Sequence, residues 1–135
     1  MAGEDTEKYI LKFHEIGKQD IAVAGGKGAN LGELTELGVM VPPGVVLTAA
    51  AYDCFMQEND INVIEILSQE TEAKAAAQRI RQAILAGQIP AKIQAEIQAF
   101  YAEMASADNG GGVCRLAVRS SATAEDLEDA SLAGQ

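Results

Sequence analysis

A chain of 135 residues, 48% hydrophobic and 22% charged, has the length and composition of a single soluble globular domain, able to bury roughly two-thirds of its unfolded surface. Its formal net charge of −10 argues against nucleic acid and against an anionic membrane surface as partners, since both demand clustered Lys and Arg. Aromatic residues make up only 4% and Trp is absent, so Ala, Leu, Ile and Val must fill the core, and any polyanionic ligand must rely on a few well-placed basic groups and backbone N–H groups.

Met1 to Lys8 is polar and is expected to fray. Met1 to Lys12 has no apolar run behind a basic end, so no signal peptide is expected. No segment reaches the ~18 apolar residues of a membrane span, and the expected location is the cytoplasm. Tyr9 to Phe13 reads as a short strand. Gly17 to Gly28, with glycines at 17, 25, 26 and 28, reads as a loop. A helix is expected from Ala29, with Leu31, Leu34 and Leu37 along one face and Gly38 as its C-terminal cap.

Val39 to Gly44, containing Pro42-Pro43, predicts a rigid extended turn, and Val45-Val46-Leu47 a strand. Thr48 is placed to cap a helix carrying Tyr52, Phe55 and Met56 on its inner face, broken at Asn59-Asp60. Ile61 to Leu67 predicts a helical turn or two. Glu70 to Ala86 has the period of an amphipathic helix, with Ala73, Ala76, Ala77, Ile80, Ala83 and Ile84 on one face and Gly87 at its end. Pro90 suits the start of the next helix, whose apolar face is Ile93, Ile97, Phe100, Tyr101 and Met104. Ser106 to Gly112 reads as a turn, Val113 to Val118 as a buried strand, and Arg119 to Gln135 as a polar, functional loop region. The order of elements is that of a mixed α/β domain spanning residues 1–135.

Cys54 and Cys114 match no metal-ligand spacing and read as reduced, partly buried thiols. His14 is the only histidine, which excludes a zinc site built on several, and it reads as a surface residue. Three stretches carry candidate chemistry. In Gly25-Gly26-Lys27-Gly28-Ala29-Asn30 the glycines allow close backbone approach, a helix start favours an anion, and Lys27 adds charge. The stretch is not a Walker A loop, because Gly28 follows Lys27 where Ser or Thr is required. A surface loop with a solvated lysine is the competing reading. In Leu116-Ala117-Val118-Arg119-Ser120-Ser121-Ala122, Arg119 follows an apolar run and is shaped for bidentate phosphate contact, with a structural ion pair as the alternative. In Thr123 to Gln135 the acids Glu125, Asp126, Glu128 and Asp129 precede small residues suited to a mobile loop; solvated acids are the alternative there.

Taken in order, Gly25-Gly26-Lys27-Gly28-Ala29-Asn30-Leu31-Gly32-Glu33-Leu34, Val41-Pro42-Pro43-Gly44, Val118-Arg119-Ser120-Ser121-Ala122-Thr123-Ala124-Glu125-Asp126-Leu127 and Ala130-Ser131-Leu132-Ala133-Gly134-Gln135 resemble the start of phosphoenolpyruvate synthase and its relatives, pyruvate phosphate dikinase and rifampicin phosphotransferase. The blocks cover roughly a third of the chain, and the helical middle adds little. The resemblance implies the N-terminal subdomain of an ATP-grasp fold. It implies ATP as ligand, with Mg²⁺ in the complete enzyme. Lys27 and Arg119 would contact the phosphates, with Gly26, Gly28 and Ser120 beside them and Ser131 and Gly134 in a flap. Neither catalytic residues nor metal ligands are assigned.

Val45 and Leu132 stand where the synthases generally have Phe, which leaves the parent enzyme's substrate open. The family reaction converts ATP, pyruvate and water to AMP, phosphoenolpyruvate and phosphate, and its phosphate-accepting histidine and pyruvate barrel lie beyond these blocks. The isolated chain is therefore expected to be inactive, with the remaining domains as a candidate partner on a separate chain. Two alternatives stay open: an antibiotic hydroxyl as the acceptor, or a non-catalytic module that complements a partner.

Overall fold

Residues 8–107 and 115–122 are described by the computed structural model. Ile10–Lys12 forms β1, and Val45–Leu47 forms β2. They pair antiparallel, with Ile10 opposite Leu47, Leu11 opposite Val46 and Lys12 opposite Val45. β1 runs into a single 3₁₀ turn at Phe13–Glu15. The Glu15 carboxylate accepts the Lys12 N–H at 2.8 Å, which holds its pKa below the ordinary value.

Five helices follow among the described residues: α1 Ile21–Glu36, α2 Ala49–Glu58, α3 Val63–Gln69, α4 Ala73–Ala86 and α5 Ala91–Ala107. α1 lies against the 3₁₀ turn, β2 and α2, α3 packs on α4, and α5 on β1. The core is built from small and aliphatic side chains, as the aromatic-poor composition requires: Ile16, Ala24, Ala29, Ala51, Met56, Ile66, Ala76 and Ile93 are all buried.

α1 departs from expectation. The stretch read as a loop is helical from Ile21, is interrupted at Gly25, and resumes to Glu36. Its leucines are not the inner face either. Leu31 is half-buried, and Leu34 and Leu37 are exposed. The buried face is Gly28, Ala29 and Gly32. A Cβ at Gly28 would lie 3.1 Å from a Val46 methyl, and one at Gly32 would lie 2.8 Å from the Ile16 carbonyl carbon. Glycines four apart on one helical face thus let the axis settle onto β2 and Ile16, and a small-residue face outcompetes a leucine face.

The cap at Gly38 forms as expected. Gly38 has φ 81°, its N–H bonds the Thr35 carbonyl, and the Val39 N–H bonds the Leu34 carbonyl, the two bonds of a Schellman motif.

Thr48 caps α2 and does more. Its hydroxyl accepts the Ala51 N–H at 3.3 Å and donates to the Lys8 carbonyl at 2.6 Å, while its own N–H bonds the Tyr9 carbonyl. Thr48 is 2% exposed, so its hydroxyl has no access to water in exchange. Thr48→Ala is expected to cost about 2 kcal/mol, the upper range for a cap whose loss also strands a carbonyl. Urea unfolding with an unchanged slope checks this; a variant as stable as the parent would show that the hydroxyl contributes nothing.

Asn59 is a tie as well as a breaker. Its amide bonds the Phe55 and Gln88 carbonyls, and its oxygen accepts the Gln88 N–H, fastening the end of α2 to the α4–α5 turn. Tyr52, expected inside, is exposed, as are Ala73, Ala77 and Tyr101; Ile93 alone of its stripe is fully buried, with Ile97, Phe100 and Met104 half-buried. For α5, which lies on β1, a small two-stranded sheet buries a narrower stripe than a full layer would.

The strand expected at Val113 to Val118 is not formed by residues 115–118, which are exposed and have no ladder partner; Val113 and Cys114 lie outside the described residues. The expected fraying of Met1 to Lys8 is likewise outside them, except for exposed Lys8. His14 is exposed, as expected.

Candidate functional site

Gly25 organises the region where the candidate residues meet. Its φ of 76° and ψ of 171° fall in a part of backbone space that is essentially reserved for glycine. A Cβ there would stand 2.8 Å from the Ser121 carbonyl carbon. The kink therefore serves two needs, a turn of the chain and the close approach of a second segment.

That second segment is 121–122. The Ser121 hydroxyl donates to the Ala24 carbonyl at 2.8 Å and accepts the Gly28 N–H at 3.1 Å. The Gly26 N–H donates to the Ala122 carbonyl at 3.0 Å. One residue before the kink and two after it are thus stitched to two consecutive residues more than 90 positions along the chain.

The consequence for the basic residues is direct. Lys27 sits between the two tethered glycines, and Arg119 is two residues before Ser121; both are exposed. Ser120, also exposed, lies between Arg119 and the tether. The N–H groups of Gly26 and Gly28, expected as donors to an anion, are engaged within the chain. Positive charge at this place therefore comes from Lys27 and Arg119. Ser131, Gly134 and the acids from Glu125 onward lie outside the described residues.

The resemblance places Ser120 beside the phosphates, whereas the bonds to the kink are made by Ser121 and Ala122.

Two open depressions lie elsewhere. One of about 470 Å³ is lined by residues that include Asn59, Ile66 and Arg79, and one of about 320 Å³ by residues that include His14, Ile16 and Thr35. Among the described residues no cluster of three or more His, Cys, Asp or Glu is placed to hold a metal ion. Nor is any described helix long and apolar enough to cross a membrane.

The family described as "Pyruvate phosphate dikinase, AMP/ATP-binding domain" matches residues 21–135. A probable phosphoenolpyruvate synthase of Methanothermobacter thermautotrophicus is 43% identical over 140 residues, covering 98% of this chain and 20% of the relative. The phosphoenolpyruvate synthase of Escherichia coli K12 is 34% identical over 146 residues, covering 100% of this chain and 18% of the relative. That of Pyrococcus furiosus is 34% identical over 167 residues, an alignment longer than this whole chain, covering 95% of it and 20% of the relative. The chain spans about a fifth of the length of these curated relatives. Because the family match takes in both the kinked helix and the segment stitched to it, the chain belongs to the pyruvate phosphate dikinase AMP/ATP-binding domain family.

Proposed function

We propose that this chain supplies one wall of an ATP phosphate site in a phosphoenolpyruvate synthase-like phosphotransferase, with Lys27 and Arg119 as the phosphate contacts. The observation that carries this reading is the tether of Ser121 and Ala122 to Ala24, Gly26 and Gly28, which draws two basic residues far apart in sequence into one neighbourhood. Phosphoryl transfer is catalysed chiefly by positioning and by neutralising charge, and a Lys and an Arg flanking one kink suit that task. Lys27 offers a point charge and Arg119 a planar fork for two oxygens.

In this reading the chain is one domain, the N-terminal subdomain of an ATP-grasp fold in a cytoplasmic enzyme. Ser120 lies next to the phosphates, and Ser131 and Gly134 belong to a flap over them. Mg²⁺ arrives with the nucleotide, bound to phosphate oxygens and water. The full-length reaction is ATP plus pyruvate plus water to AMP, phosphoenolpyruvate and phosphate. This chain's share is to hold ATP; the remaining domains supply acceptor and pyruvate, and the chain by itself is not catalytic.

An ATP titration in Mg²⁺, followed by amide chemical shifts, tests the reading. Shifts are expected to cluster at Gly25 to Asn30 and Arg119 to Ala122. Binding by these 135 residues is expected to be weak, because they supply one wall of the site. Silence of both segments at millimolar ATP would overturn the assignment.

A further inference from the structure

We infer that Ser121 is a positioning residue for the nucleotide site, acting through its hydroxyl to hold the Lys27 and Arg119 segments in one register; the inference rests on the phosphate reading above. The Ser121 oxygen is both donor and acceptor, to Ala24 before the kink and from Gly28 after it. It therefore spans Gly25 as a brace. Without it, the bond from the Gly26 N–H to the Ala122 carbonyl has no hydroxyl brace beside it. One hydrogen bond fixes a distance but leaves a hinge, whereas three bonds to residues 24, 26 and 28 fix orientation too. Orientation matters because a phosphate bound by two basic groups pays for any misplacement of either.

Ser121 is suited to this role by size. The Gly25 backbone comes so close that a Cβ on it would meet the Ser121 hydroxyl and carbonyl. The two residues are complementary, the one lacking a side chain where the other presents its own. Ser120, one position earlier, makes no such bridge in the described structure, so the two adjacent serines have separate duties: Ser121 bonds across the kink, and Ser120 lies beside Arg119.

The test compares Ser121→Ala and Ser121→Thr in the 135-residue chain, by amide hydrogen exchange without nucleotide and by ATP titration with it. In Ser121→Ala, exchange at Gly28 and Gly26 is expected to be about tenfold faster, the protection one hydrogen bond confers. Gly26 is the informative amide, because its own partner is Ala122 and is not altered. Exchange at Ile80 in α4 is expected to stay unchanged. ATP-induced shifts at Lys27 and Arg119 are expected to weaken together by a similar factor, and Ser121→Thr, which keeps the hydroxyl, to restore both readouts. Unchanged exchange at Gly26 in Ser121→Ala would overturn the inference, as would acceleration spread equally to Ile80, the mark of general destabilisation. If the parent chain fails to respond to ATP, the phosphate reading falls, while exchange at Gly26 still decides whether the brace exists.

Discussion

Gly25→Ala is expected to lower stability by about 3 kcal/mol, the largest single loss at any of the described glycines, combining a backbone conformation that only glycine adopts with a collision against neighbouring backbone. The Cβ would stand 2.8 Å from the Ser121 carbonyl carbon, and backbone cannot move aside as a flexible side chain does. Gly38 provides the comparison. Its φ of 81° is as positive as that of Gly25, yet a Cβ there meets nothing within 4 Å. Gly38→Ala should therefore cost only the left-handed backbone penalty, about 1 kcal/mol. Urea unfolding of the two variants measures what the glycine-only conformation and the crowding at Gly25 cost together, beyond the left-handed penalty at Gly38. Equal losses would mean that the contact with Ser121 adds nothing. A Gly25 variant that relieves its strain by releasing residues 121–122 would lose amide protection at Gly26 as well.

Replacing Lys27 or Arg119 with Ala is expected to weaken ATP binding by roughly ten- to a hundredfold each, the worth of a hydrogen bond to a charged group. Stability should hardly change, because both side chains are exposed. Arg119→Lys separates charge from shape: it keeps the positive charge and loses the fork, so it should recover only part of the affinity. Titration by amide shifts, alongside urea unfolding to verify the fold, measures each effect. Unaltered binding in the double Ala variant would remove both residues from the site and leave the tether as a purely structural device.

The parts of the fold legible in the sequence were those set by local rules. Gly38 and Thr48 cap as their residue types require, and the strand Val45–Leu47 and helices α2 to α5 fall within a few residues of the expected spans. Long-range packing was harder to read. Nothing local says that Gly28 and Gly32 are packing glycines rather than loop glycines, because the reason lies in Val46 and Ile16 across the fold. Likewise the kink at Gly25 makes sense only once Ser121 is beside it. The motif blocks contain both segments of the seam, but the bonds joining them pass through Ser121 and Ala122, which gain their importance from position. The strand expected near Val118 rested on β-propensity, and propensity alone cannot supply a neighbour.

The direct stitching of the kink to residues 121–122 also bears on how freely this family can change length. The two arms of the site meet through their own hydrogen bonds, with β2 and α2 to α5 forming a loop between them. Closing such a loop grows costlier only slowly with its length, by about 0.6 kcal/mol for each doubling. Insertions into the turns between those helices would therefore be cheap for the site, while a change of a single atom at Gly25 would be dear. Selection can lengthen or shorten the middle of such a domain and must hold the spacing within each arm, so that variation in this family should accumulate as insertions between the arms rather than as substitutions at the seam.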